Sequence, residues 1–85
     1  MLLCKVTGSL ISTRKNEKLK GCKFLIVEPL EDSIETGIFI VADNIGAGTG
    51  EKVLVTRGSA ARLVIGESIP IDAAVIGIVD DYTGK

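Results

Sequence analysis

VADNIGAGTGEKVLVTRGSAAR, residues Val41 to Arg62, is the stretch whose reading decides the fold of this chain. Gly46, Gly48 and Gly50 fall at every second position and interrupt an otherwise strand-like run. Lys52 to Arg57 then alternates apolar and polar residues with the period of a half-buried strand. Gly58-Ser59-Ala60-Ala61-Arg62 follows as a tight corner opening into one short helical turn, with the Ser59 hydroxyl placed to cap it. A glycine-rich loop raises the question of a phosphate cradle, and the spacing answers it. A P-loop needs glycine directly before Lys-Ser/Thr and a helix after it; here Glu51 follows Gly50, Val53 follows Lys52, and a strand comes next. The dinucleotide fingerprint fails at the same place, because its third glycine position is Glu51 and no helix presents amides to a pyrophosphate. What remains is a loop whose glycines permit positive φ or close backbone approach.

The rest of the chain supplies four more strand-like segments. Leu2, Cys4, Val6 and Leu10 alternate with polar residues up to Thr13, predicting a long first strand with Gly8 at a bend or bulge. Arg14 to Gly21 is a charged loop that its one apolar residue, Leu19, pins to the body of the domain. Cys22 to Val27 forms the second strand, stopped by Glu28-Pro29 because proline has no N–H for a ladder. Glu31 to Gly37 is an acidic turn, and Ile38 to Ala42 is a third strand apolar on both faces. Leu63 to Ile69 reads as irregular, Asp72 as a turn residue bonding backbone amides, Ile71 to Asp80 as the last strand, bent at Gly77, and Tyr82 to Lys85 as a loose tail. Short strands broken by glycines coil tightly enough to close. The fold expected is all-β, one domain over residues 1–85: a small five-stranded OB-like β-barrel with one short helical turn between the fourth and fifth strands. A small sandwich is the alternative.

Composition bounds the function. An 85-residue chain buries only roughly 60% of the surface its unfolded form exposes, so its own core is small. Yet 46% of it is hydrophobic, with only Phe24, Phe39 and Tyr82 aromatic. That excess of aliphatic residues suits burial between subunits, and equally a well-filled barrel. The net charge is -1, which gives no general attraction for nucleic acid or anionic lipid. Residues 1–27 carry six cations against Glu17, whereas residues 28–51 carry six anions and no cation. The plain reading is solvated loop charge; the alternative is head-to-tail pairing of surfaces between copies.

Catalytic constellations are not assembled. The chain has no histidine, so Ser59 has no imidazole base. Glu31/Asp32 and Asp80/Asp81 are adjacent pairs, which point to opposite faces of a strand and make poor acid–base partners. Cys4 and Cys22 form no CxxC and have too few companions for zinc; both read as small hydrophobes in strands. Met-Leu-Leu-Cys is not a signal peptide, and the longest apolar run, Ala73 to Val79, is too short to span a membrane. A soluble intracellular chain is expected. Single-stranded nucleic-acid binding, a common use of OB barrels, needs aromatic platforms in a basic groove. The basic stretch 14–23 has only Phe24 beside it.

The whole pattern resembles the EutN/CcmL family of bacterial microcompartment vertex proteins. The matching pieces are Gly8 with Ser12-Thr13-Arg14-Lys15, then Leu19-x-Gly21, then Leu25-Ile26-Val27-x-Pro29-Leu30. After them come Val41-Ala42-Asp43, Ile45-Gly46-Ala47-Gly48-x-Gly50-Glu51, Val53-Leu54-Val55 and Gly58-Ser59-Ala60-Ala61-Arg62. The series ends with Asp72-Ala73-Ala74-Val75-Ile76-Gly77-Ile78-Val79-Asp80, so it covers nearly the whole chain in order. The resemblance implies a non-catalytic structural protein without cofactor or metal. It implies pentamers at the corners of a polyhedral shell in the bacterial cytoplasm, meeting hexameric shell proteins and neither nucleic acid nor membrane. By the same analogy Gly46, Ala47, Gly48, Thr49, Gly50, Ser59 and Arg62 are candidates for the subunit interface or the lining of a central pore, with Arg62 facing a carboxylate of the next subunit. An OB-type module for single-stranded nucleic acid is the alternative.

Overall fold

The computed structural model describes residues 1–12, 15–30 and 37–81. Thr13 and Arg14, the acidic stretch 31–36 and the tail from Tyr82 lie outside the described residues. The elements are β1 (Leu2–Leu10), a 3-10 turn (Glu17–Leu19), β2 (Lys23–Pro29), β3 (Phe39–Asp43), β4 (Lys52–Arg57), α1 (Ala60–Ile65) and β5 (Ala73–Val79). The strands close into a barrel in the order β1-β2-β3-β5-β4. Neighbours are antiparallel except β3 and β5, which run parallel and meet at the pair Ala42–Ala74. This is the five-stranded barrel with a helix between its fourth and fifth strands that the periodicity predicts.

Alternation fills the interior. Cys4, Val6, Leu25, Val27, Val41, Val53, Val55 and Val75 are all buried in one cluster, with Ala47 and Ala73 among them. Six of these ten are valines, whose short branched side chains pack a narrow lumen and favour the extended backbone. The register shifts at two places. Between Val6 and Gly8 on β1, Thr7 is the extra residue, and its hydroxyl donates to the Ile26 carbonyl at 3.3 Å. Opposite Leu54 and Val55, the extra residue is Ile76, next to Gly77. Both glycines read as bends do mark bulges, and each bulge adds the local twist that closure of short strands needs.

Several boundaries differ from the sequence reading. Proline does not stop β2 at Val27, because the ladder beyond that point has one side only. β3 begins at Phe39, the partner of Val27, while β1 continues to pair as far as Cys4–Pro29. The Leu30 N–H bonds the Leu3 carbonyl at 2.8 Å, so the missing N–H of Pro29 falls on the side without a neighbour. β1 ends at Leu10, and β5 occupies only Ala73–Val79. Cys22 precedes β2 rather than lying in it. The helix is also longer than one turn: Val64 and Ile65, expected in an irregular stretch, continue it with half-buried apolar side chains until Gly66 ends it. Ser59 makes no side-chain cap, because its helical φ of -65° and ψ of -25° replace the extended geometry that aims a capping hydroxyl at the second and third amides.

α1 lies outside the barrel against β4 and β5. Ala61 on the helix and Ala74 on the strand are both fully buried, and residues without branched side chains let the two backbones come close.

Both cysteines are free thiols: Cys4 is fully buried in the core and Cys22 half-buried. Burial pushes the Cys4 thiol above its ordinary range, and the charge of Arg57 pulls it part of the way back. Folding therefore favours the protonated thiol. This contribution to stability is intact below the unfolded-state pKa and is lost as the pH rises towards the higher folded value. Alkylation in native buffer should modify one cysteine per chain, Cys22, and both after denaturation. Rapid native labelling of Cys4, located by peptide mass, would contradict the core described here.

Candidate assembly surface

The glycine loop is held by Asp43, the last residue of β3 and only 4% exposed. Its Oδ1 accepts from the Ile45 amide at 2.9 Å, its Oδ2 from the Ala47 amide at 2.8 Å, and the Gly46 amide reaches both oxygens. Gly46 and Gly50 take φ values of +104° and +93°, which side chains disfavour, whereas Gly48 does not. The Gly48 amide donates to Glu51 Oε1 at 2.7 Å, and the Gly50 amide to the Val6 carbonyl at 2.8 Å. The amides that would cradle a phosphate thus already serve the protein's own acceptors, above all one carboxylate. Asp43 was part of the matching Val41-Ala42-Asp43 piece but not among the candidate site residues read from the sequence. The signal for it was present: an aspartate at a strand end before Asn-x-Gly is where a carboxylate folds back onto amides two to four residues ahead.

The seven candidate residues do not form one site. Gly46, Gly48, Thr49 and Gly50 are exposed on the loop, but Ala47 is fully buried in the barrel core, so its side chain serves the subunit itself. Ser59 is exposed and Arg62 half-buried at the other end of β4. Six strand residues separate loop from corner by roughly 20 Å. At that corner the Gly58 amide bonds the Asp72 carbonyl at 2.8 Å, so Asp72 holds the turn by its backbone rather than by capping amides with its side chain. Arg62 Nη1 donates to the Ile71 carbonyl at 3.2 Å, which occupies one of five guanidinium N–H groups. Arg57, also at this end, lies over the Phe39 ring at 4.7 Å.

Two depressions flank Ala42 on the outside of β3. The larger, about 310 Å³, is lined by Lys18, Lys20, Cys22, Asn44, Ile65 and Ile69 among others. The smaller, about 150 Å³, has Leu19, Phe24, Ile40 and Ile71 in its walls. Leu19 thus rests against the barrel as expected. Among the described residues no three His, Cys, Asp or Glu side chains gather as metal ligands, and no helix is long and apolar enough to cross a membrane.

Replacing Asp43 by alanine leaves the amides of Ile45, Gly46 and the buried Ala47 without their acceptor and should cost about 1–3 kcal/mol. Asp43→Asn, which keeps one carbonyl oxygen, should lose less. Chemical denaturation of the three proteins checks the order, and a neutral Asp43→Ala would show that the carboxylate does not hold the loop.

The family model described as "Ethanolamine utilisation protein EutN/carboxysome" matches residues 1–80. The microcompartment shell vertex protein GrpN of Rhodospirillum rubrum is 47% identical over 83 residues, covering 94% of this chain and 93% of its own. The carboxysome shell vertex protein CcmL of Thermosynechococcus vestitus is 46% identical over 83 residues, 94% of this chain and 84% of that protein. In three dimensions the pentameric GrpN shell protein superposes with a TM-score of 0.85 at 44% identity, covering 100% of both chains. The relatives are shell vertex proteins and the structural neighbours include pentameric shell proteins. Barrel, loop and corner together, this chain belongs to the EutN/CcmL family.

Proposed function

We propose that the protein assembles as a homopentamer and occupies the fivefold corners of a bacterial microcompartment shell, in a structural and non-catalytic role. The observation that carries this reading is the likeness to a pentameric shell protein over the full length of both chains. The physical need for such a part is geometric: a flat layer of hexagonal tiles cannot close, and fivefold units introduce the curvature. Hexameric shell proteins are the partners this role requires at the rim of the ring. A ring of identical chains is heterologous, so each subunit offers one surface to a different surface of the next. The exposed glycines of the 46–50 loop and the Ser59–Arg62 corner, at opposite ends of β4, remain candidates for such contacts or for lining the axial opening. Single-strand nucleic-acid binding is disfavoured, because Phe24 and Phe39 are both half-buried and Arg57 lies over the Phe39 ring, leaving no row of open stacking platforms among the described residues.

Native mass spectrometry of the purified chain should give five times the 8.9 kDa subunit. A monomer across micromolar concentrations would defeat the proposal. Two variants probe the loop and the corner. A Cβ at Gly48 would meet only Glu51 Oε1, at 3.6 Å, and its φ is not left-handed, so valine is cheap within one subunit. Gly48→Val should therefore weaken the ring without unfolding the chain, and Arg62→Ala should do the same. An undisturbed fivefold mass in either variant removes that residue from the contact.

A further inference from the structure

We infer that the depression of about 310 Å³ beside the end of β3 is a binding site for a small aliphatic anion, a phosphate ester or carboxylate on a short hydrocarbon body. The site lies within one subunit, so the inference does not rest on the pentamer reading above. Its walls come from three segments distant in the chain: residues 18–22, the end of β3 with Asn44, and the end of α1 with Ile65 and Ile69. Pockets for small ligands usually enclose about 300–1,000 Å³, and this one stands at the lower bound.

Each wall is fixed by the protein's own bonds. The Asn16 side chain accepts from the Lys18 amide at 2.9 Å, and the Leu19 and Cys22 amides bond the Asn16 and Leu19 carbonyls at 2.9 and 3.0 Å. The Leu19 side chain belongs to the wall of the smaller depression, so Lys18 and Lys20 are carried on an anchored turn. Asn44 Nδ2 donates to the Val64 carbonyl at 3.4 Å, linking the end of β3 to the end of α1. That contact engages a carbonyl at the negative end of the helix, where it would otherwise oppose an anion. Gly66 turns the chain so tightly that a Cβ there would stand 2.9 Å from Ile69 Cγ1, which keeps Ile69 against the helix end. A site preformed in this way needs little further ordering when a ligand enters.

The chemistry of the walls selects the ligand. Lys15 Nζ donates to the Ser12 carbonyl at 2.8 Å and Lys23 Nζ to the Ala47 carbonyl at 3.3 Å, but among the described residues the ammonium groups of Lys18 and Lys20 have no partner. The carboxylate in the walls, that of Asp43, is already engaged by the amides of Ile45, Gly46 and Ala47. Two unpaired cations beside one committed carboxylate favour an anion. Ile65 and Ile69, both half-buried, offer apolar surface to its body. A metal ion would find only Cys22 and Asp43, and among the described residues no cluster of three ligands forms. A nucleic acid would find no aromatic platform, since none of the described residues lining the depression is aromatic.

Cys22, a free thiol in the wall, is a native reporter of occupancy. The test follows its alkylation by the neutral reagent iodoacetamide in phosphate-free buffer, located by peptide mass, in the wild-type protein and in a Lys18→Gln/Lys20→Gln variant shown by circular dichroism to keep the barrel. Butyl phosphate and butanoate are the probes, with inorganic phosphate and butanol as head and body alone. A ligand at ten times its Kd leaves about one site in eleven free, so one or both butyl anions should slow the reaction about tenfold. Comparing the two shows which head group the lysines prefer. The double variant should lose the protection. Equal protection by butanol, or protection undiminished in the double variant, overturns the anionic site. Inorganic phosphate as effective as butyl phosphate means an adventitious ion only and overturns the aliphatic class. No saturable protection up to tens of millimolar overturns the proposal, and so does a Cys22 that resists alkylation without any probe, because another protein surface then covers the depression.

Discussion

The barrel closes through one parallel pairing, Ala42 on β3 with Ala74 on β5, and the rest of the molecule is arranged around that join. Parallel neighbours need a crossover, and here the chain between them supplies β4, α1 and residues 66–72. The helix must then ride outside the barrel, where Ala61 and Ala74 let it approach closely. Because the pairing is short, β3 and the segment leading into β5 part company beyond it. The depression lined by Leu19, Phe24, Ile40 and Ile71 is the result. A more extensive parallel ladder would have filled the space that now gives the outer face its shape.

The two ends of β4 do different work. At its start, Asp43 gathers the amides of residues 45–47 and sets Ala47 into the core as a stopper, so the glycine loop is a held structure. Charge-assisted bonds to a carboxylate are stronger than neutral ones, and this one is nearly out of water. At its end, backbone bonds from Gly58 to Asp72 and from Arg62 to Ile71 tie the corner to the strand that follows. A rigid subunit with fixed loops suits a part that must repeat identically around a ring, since ordering costs are met during folding and not again on assembly.

Much of this was legible in the residues. Lys52–Arg57 alternates cleanly and became β4 with the same bounds, and Gly8 and Gly77 marked real bulges. The excess of aliphatic residues over what a small core needs shows up as Ile38 and Ile40 on the outside. What misled was proximity along the chain. Glycine loop and arginine corner are separated by only seven residues and are grouped as candidates for one interface or pore lining, yet the strand between them sets them at its opposite ends. Pro29 misled for a related reason: whether a missing N–H matters depends on which side of the strand has a neighbour, and sequence does not say.

The sequence by itself determined the number and character of the strands, the absence of a histidine-based catalytic centre and the family, because periodicity, composition and ordered motifs are properties of the chain. Only the tertiary structure decided that the side chain of Asp43, and not that of Ser59 or Asp72, accepts from backbone amides, that Ala47 is core, and that α1 runs on to Ile65. It also decided how far loop and corner stand apart, at the two ends of β4. These outcomes depend on which strand lies beside which, and that is set when the barrel closes and brings together residues distant in the chain.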